Sequence, residues 1–447
     1  MVGPQIADGP AAGDDPLAAG RACVVYGAGT AADRMLRIRG LSPSDVRFAS
    51  TTGGGEFRGQ PIMPASALIT LADTAIVIAS TFLTPILETL RDLDIDTGRI
   101  WWYFHEQDRL IPFHALGTTP QRADVLYAFY DLAMNPSTYD AVIFAARADV
   151  ERRRRGLKYL QFTIVPSAIS GGRPGDLELL GGLENVAWRQ TYILNAVFRL
   201  VPAARGVTAL ASRADAILLT AAGAACFPAG YDPANPTDEH IMKYCYVDRD
   251  EGFEPRILKA PAKAVDFVGR FLAPRLNGRK LLVLTLREYG LQPDRNNDMA
   301  AWGAFVRKLD PDEYDVVVVR DTDSLYTPMP APLEGYDDLP LASVDVNFRL
   351  ALYEAAYLNL TVTTGPSALL YFSATARYLM FKQFLPQYVA TAAGFQLDRN
   401  GMNVGDAYPL AGPFQKFIWE PDTEAVIQHE FDAMVAKIEA RRHDDAR

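Results

Sequence analysis

Apolar residues along the chain fall into two alternating rhythms. Short, mostly apolar runs occur at 22–26, 46–49, 74–79, 100–104, 125–130, 160–165, 281–286, 314–319, 360–364 and 378–381, with a briefer one at 207–210. Runs of this length, bounded by polar residues, Gly or Pro, predict strands buried in parallel sheets. Between them the apolar positions recur at helical spacing. Ile86, Leu87, Leu90 and Leu93 share one face, as do Val142, Ile143, Ala146 and Val150, then Ala264, Val265, Val268, Phe271 and Leu272, then Trp302, Phe305, Val306 and Leu309. Further helices are expected at 32–38, 188–200, 348–358 and 424–441. This strand–helix alternation predicts an α/β protein whose sheets are parallel and doubly wound.

At 447 residues the chain exceeds a single core, and roughly three domains are expected. Residues 1–20, rich in Ala, Gly, Pro and Asp, read as a disordered tail and lack the pattern of a signal peptide. A Rossmann-like domain is expected over 21–111, followed by a polar linker at 112–122. A first α/β lobe then spans 122–236, ending in turn chemistry at 232–237 around Pro233 and Pro236, and a second lobe spans 237–441.

A hydrophobic content of 49% with 22% charged residues is that of a folded globular chain. The formal net charge of −10 disfavours nucleic acid as a partner, so an anionic ligand requires a local cationic cluster. Cys23, Cys226 and Cys245 are odd in number and far apart, which argues against a disulfide framework and suits a cytoplasmic setting; with five histidines they match no zinc spacing. The most apolar stretch, 216–229, falls short of the roughly 20 residues of a membrane span and is broken by Gly and Pro, so it is expected in a core and no transmembrane segment is expected.

Two regions carry candidate phosphate chemistry. In the first, the strand at 22–26 runs into Gly27-Ala28-Gly29-Thr30-Ala31-Ala32, a glycine turn opening a helix. Gly27 and Gly29 allow a phosphate to approach the backbone there. A dinucleotide site calls for an acidic residue at the end of the next strand, and none occurs before Glu56. NAD binding therefore ranks below a structural or mononucleotide role. The stretches VVYGAGTAADRML, FRGQPIMPASAL and TAIVIAS resemble the N-terminal nucleotide-sugar-binding domain of bacterial sugar O-acyltransferases. The hexapeptide repeats that follow in those enzymes are absent, so acyl transfer is not implied.

The second region starts at the strand 281–286, which breaks into a loop bearing Arg287, Glu288, Arg295 and Asn296, with Asn296 or Asn297 expected to cap the next helix. In an open α/β sheet, ligands lie beyond the carboxyl ends of the strands. Arg287 and Arg295 suit bidentate contact with a diphosphate. The strand 314–319 ends near Asp321 and Asp323, acceptors for ribose or base. The strand 360–364 ends at Gly365, Pro366 and Ser367, which open a helix favourable to phosphate. The alternative is a surface loop whose arginines pair with local acids. Arg152 to Arg155 form a basic run at a helix end, read as a solvated face or, more sharply, as a contact for an anionic acceptor. His240 and Tyr244, just beyond the 232–237 turns, are candidates to face an acceptor.

Two α/β lobes, nucleotide features in the second, and the turn Ile418-Trp419-Glu420-Pro421-Asp422 before a last helix resemble the GT-B glycosyltransferases. Thr285-Leu286-Arg287-Glu288 is similar in position to the arginine motif of the fucosyltransferase-like branch, which implies that Arg287 contacts the donor's β-phosphate. Thr285 stands where that branch has histidine, and no Gly-Asp pair follows. The resemblance implies sugar transfer from a nucleotide sugar to a hydroxyl of a glycan, lipid-linked or protein acceptor, with no metal and no cofactor beyond the donor. Glu288 is the nearest candidate base, with Asp131 or Asp140 of the first lobe as equal alternatives. Two other functions compete: a non-catalytic nucleotide sensor using Gly27 and Gly29, and an NAD-linked sugar oxidoreductase.

Overall fold

The computed structural model describes residues 15–80, 82–104, 108–113, 124–167, 172–173, 175–221, 225–290 and 292–445. The chain divides into two compact units, Met1–Arg122 and Ala123–Arg447. Of the expected tail at 1–20, residues 1–14 lie outside the described residues, as does most of the 112–122 linker, whereas 15–20 are described, with Asp15 paired to Arg39 at 2.8 Å.

The first unit is a seven-stranded sheet. Its strands are β1 (Cys23–Tyr26), β2 (Arg47–Ser50), β3 (Glu56–Phe57), β4 (Gln60–Pro64), β5 (Ala75–Ile78), β6 (Ile100–Phe104) and β7 (Arg109–Pro112), in the order β3-β4-β2-β1-β5-β6-β7. The central strands pair in parallel, whereas β3 and β7 are antiparallel edges. These edges, with β4, escape a reading by apolar runs because they are short, polar or interrupted by Pro. The start of the expected linker at Pro112 is thus still sheet.

The second unit holds two parallel sheets. The first lobe has β8 (Val125–Asp131), β9 (Tyr159–Val165), β10 (Ala204–Ala209) and β11 (Cys226–Phe227) in the order β10-β9-β8-β11. The second lobe has β12 (Lys280–Thr285), β13 (Tyr314–Val319), β14 (Asp337–Asp338), β15 (Leu358–Val362), β16 (Tyr378–Phe381) and β17 (Gln415–Phe417), ordered β14-β13-β12-β15-β16-β17. Every pairing in this sheet is parallel. One continuous apolar cluster includes Leu126 and Phe162 of the first lobe with Val283 and Tyr378 of the second, which is why the two lobes form a single unit. The opposite face of the second sheet packs on Trp302, Phe305 and the last helix through Ile427 and Phe431.

Local chemistry shifts several boundaries. The helix expected over 188–200 begins earlier, at Leu183, and runs to Arg199 through a π-helical segment, Gln190–Leu194. The helix expected at 348–358 is Val346–Ala355, because Leu358 already pairs with Leu282 in the sheet. The stretch 216–229 enters a helix, Arg213–Ala221, and then β11. Among the described residues no helix is long and apolar enough to cross a membrane.

One buried carboxylate fixes the loop after β12. Asp422 is 2% exposed; it accepts from the Trp302 indole at 2.8 Å and from the Asp298 backbone N–H at 2.9 Å, and pairs with the Lys382 ammonium at 2.8 Å. Lys382 in turn donates to the Asn296 carbonyl at 2.6 Å. Removing one partner of a buried charge pair strands the other. Asp422→Ala is therefore expected to lower the unfolding free energy by about 3–5 kcal/mol, read from urea unfolding, whereas a loss well under 1 kcal/mol would show that the network is not what fixes this loop.

Candidate functional site

Each sheet of the second unit reverses its winding once. In the second lobe the reversal lies between β12 and β15, and in the first between β8 and β11. A doubly wound sheet opens a crevice at that point, beyond the carboxyl strand ends. The register keeps the ends level, with Thr285 beside both Val319 and Thr361. Residues from the ends of both sheets line one cavity of about 680 Å³, among them Tyr139, Asp140, Arg287, Arg295, Asp321 and Gly365. Two doubly wound parallel sheets meeting across such a cavity give the α/β, GT-B-like architecture expected from the sequence.

The arginine loop folds around neutral acceptors. The Asn297 side chain accepts from the Arg287 backbone N–H at 2.7 Å. The Asn296 amide oxygen accepts from the Arg287 guanidinium and from the Tyr289 N–H, while its NH₂ donates to the Tyr289 carbonyl at 3.1 Å. Asn296 and Asn297 therefore do not cap the following helix Met299–Val306. Asp298 does, accepting from the N–H groups of Ala300 and Ala301 at 3.1 Å. Arg287, 5% exposed, also donates to the Gln292 carbonyl at 3.0 Å.

Arg295 donates to Gln292 Oε1 at 2.9 Å, and its buried Nε has no hydrogen-bond partner. Burial, and next the charge of Arg295, press the Arg287 guanidinium down to about 10; burial also lowers that of Arg295. A cation depressed in this way gains stability only as pH rises through its folded value, so at neutral pH its charge is carried at a cost.

Around this pair the cavity wall is mixed. Asp321 accepts from the Glu288 backbone N–H at 2.6 Å, and burial raises its carboxyl above the ordinary range against the pull of that bond and of Arg349 and Arg287. Arg349 is buried, donating to the carbonyls of Ala342 at 2.6 Å and Ser343 at 3.3 Å. From the first lobe, Asp140 is exposed at the start of the helix Ala141–Arg154 and accepts from the Thr138 hydroxyl at 2.8 Å. Asp238 pairs with His240 and Arg399, both at 2.6 Å. Burial raises its carboxyl, but the bonds from His240 and Arg399 outweigh it and leave Asp238 well below the usual carboxylate range.

The sequence-predicted residues separate accordingly. Arg287, Arg295, Asp321, Gly365 and Pro366 share the cavity. Glu288 is instead held bidentately by Arg320 at 2.7 and 2.9 Å, and Asp323 is exposed; neither belongs to the lining. Asn296 shapes the loop from behind. Ser367 is fully buried in a capping box with Thr364, and the expected helix there is a 3₁₀ turn, Gly365–Ser367, followed by only Ala368–Tyr371. So short an element carries little macrodipole.

Gly27 and Gly29 lie in the first unit. A Cβ on Gly27 would sit 2.6 Å from the Ala79 carbonyl oxygen, so that glycine answers to a close backbone approach, while Gly29 precedes the helix Thr30–Arg39. Asp131 is buried and engaged by Arg213 and Tyr231. Arg152 to Arg155 pair with Asp149 and Glu151 on their own helix, and Arg154 also with Asp248 and Glu251. His240 lines the cavity, whereas Tyr244 lies outside the lining and stacks under Arg147.

The sequence reading missed Arg189, Arg349, Asp238 and Arg399. Arg349 and Arg189 sit within helices, where a single cation carries no local signal, and Asp238 and Arg399 meet only through the fold, 161 residues apart. Among the described residues no three His, Cys, Asp or Glu side chains are grouped to hold a metal ion.

No protein-family model matches the chain, and no curated protein matches it. Solved structures with some likeness include a glycosyl transferase family 9 protein from Veillonella parvula, at 10% identity and a TM-score of 0.33, covering 61% of this chain and 83% of that one. The E. coli ADP-heptose LPS heptosyltransferase II matches at 12% identity and a TM-score of 0.32, over 94% of this chain and 99% of that one. At such scores the architecture rests on the strand orders given above.

The unpartnered charge of Arg295 generates a two-sided expectation. Arg295→Met should raise the unfolding free energy of the ligand-free protein by about 1 kcal/mol or more, because a buried uncompensated cation is removed. The same change should abolish the thermal stabilisation that excess pyrophosphate gives the wild type; retained stabilisation would show that Arg295 does not hold the anion.

Proposed function

We propose that the chain is a metal-independent glycosyltransferase of the GT-B kind, moving a sugar from a nucleotide sugar to a hydroxyl acceptor. The observation that carries this reading is the guanidinium pair beyond β12, Arg287 buried and Arg295 half-buried, sharing one cavity with an exposed carboxylate, Asp140, from the other lobe. A diphosphate supplies the charge this pair requires, and its hold tightens as negative charge develops on departure. Arg287 contacts the β-phosphate, Arg295 completes the clamp, and Asp321 accepts from ribose hydroxyls. Gly365 and Pro366 bound the phosphate side.

Asp140 is the better base than Glu288, because Glu288 is held by Arg320 outside the cavity. The acceptor hydroxyl gives its proton to Asp140 as its oxygen bonds to the anomeric carbon. The bond from that carbon to the β-phosphate oxygen breaks, and the nucleoside diphosphate leaves with the electron pair. Direct displacement of this kind inverts the anomeric centre. The arginines neutralise the leaving group, so turnover persists in EDTA.

A thermal-shift screen over nucleoside diphosphates and their sugars identifies the donor, since stabilisation grows with ligand excess over Kd. With that donor, Asp140→Asn should lower kcat by about 10²- to 10⁴-fold while nucleoside diphosphate binding stays at the wild-type level. Arg287→Ala should weaken both. Unchanged turnover in Arg287→Ala would end this reading, and unchanged turnover in Asp140→Asn would remove Asp140 from the base role alone.

A further inference from the structure

The first lobe's share of the cavity has a cation that the donor does not use. Six arginines line the cavity. Arg399 pairs with Asp238, Arg173 pairs with Asp176 at 3.1 Å, and Arg349 donates to two backbone carbonyls. Arg287 and Arg295 form the diphosphate clamp. Arg189 remains: among the described residues no carboxylate pairs with it, and its buried Nε has no hydrogen-bond partner.

Its neighbour Trp188 also lines the cavity. Trp188 is braced by Tyr192, with ring centroids 5.0 Å apart and planes 27° from parallel, and Leu180 and Ile193 continue the apolar surface. A braced indole beside an unanswered guanidinium suits a ligand with an apolar ring face and an anionic substituent. Resting on the transferase reading above, we propose that the acceptor is an acidic sugar, its ring lying on Trp188 and its carboxylate or phosphate held by Arg189. The hydroxyl to be glycosylated then faces Asp140, on the same wall.

Ligand-observed NMR on the full chain tests this with methyl β-glucuronide, glucose 6-phosphate and methyl β-glucoside. At least one charged probe should bind about tenfold or more tighter than the neutral one, the size of a charge-assisted hydrogen bond. Preference for the glucuronide assigns a carboxylate, and preference for glucose 6-phosphate assigns a phosphate. Arg189→Ala should erase the preference and Trp188→Ala should weaken all three probes, with thermal unfolding confirming that each variant folds; Arg189→Gln serves if the alanine variant does not.

Equal binding of the three probes, binding of none, or a preference that survives in Arg189→Ala overturns the proposal. So does an Arg189→Ala variant that loses pyrophosphate but keeps the acidic sugar, which would place Arg189 in the donor clamp. Pyrophosphate titration of the wild type separates the two levels: if it does not bind, the transferase reading fails, whereas if it binds without acidic-sugar preference, only the acceptor assignment fails.

Discussion

Two guanidinium groups set near one another in a poorly hydrated pocket repel, and neither can shed its charge at neutral pH without large cost. The loop after β12 nevertheless holds Arg287 and Arg295 there. It orients them with carbonyl and amide oxygens from Gln292 and Asn296, and the Asp321 carboxylate offsets part of the Arg287 charge. The strain of that arrangement is borne elsewhere, by Asp422, whose ties to Trp302, Lys382 and the Asp298 N–H fasten the loop to the rigid core. Stability is concentrated behind the loop and charge is left in front of it.

On the proposed reading, the second lobe holds the donor and the first lobe supplies the base. Asp140 enters because β8 ends at its own sheet's switch point, so both crevices open into the same cavity. The lobes are tied by polar as well as apolar contacts. His240, just after the first lobe, places Nδ1 2.6 Å from Asp238 and 3.1 Å from Asn135, and its Nε2 lies 3.0 Å from Arg399 of the second lobe. Nδ1 thus faces two oxygen acceptors, and Nε2 faces the Arg399 guanidinium. That network fixes one end of the cavity, leaving Trp188, Arg189 and Asp140 on one wall and the arginine pair on the other.

The strands of the sheet centres were readable because β12, β13, β15 and β16 are buried on both faces and so appear as apolar runs. From β12 and the rule that ligands sit beyond strand ends, Arg287 and Arg295 followed directly. Sequence reasoning failed where a residue's partner lies far away. Glu288 neighbours Arg287 in the chain, yet Arg320 holds it outside the cavity. Asn296 looks like a cap, but Asp298, with no such loop duty, takes that position. At Gly27, where a Cβ would meet the Ala79 carbonyl, a structural reason for glycine stands beside the phosphate-motif reading. Arg189 and Arg349 were invisible, since a helical arginine declares its role only when the surface it faces is known.

The contact between Tyr139 and Gly365 sets how close the two walls come. A Cβ on Gly365 would lie 3.1 Å from the Tyr139 ring, tighter than ordinary packing allows, so a side chain there would require the Tyr139 ring or the loop after β15 to give by a few tenths of an ångström. Tyr139 is followed immediately by Asp140, and Gly365 sits at the strand end beside β12. On the proposed reading, this contact lies beside the place where base and leaving group must be brought within reach of one anomeric carbon. Reacting groups held in that way need little further ordering at the moment of bond exchange. Phosphate attraction by the short 3₁₀ turn at Gly365 is minor by comparison. The role of that glycine is steric, as the point on which the two halves of the site are registered.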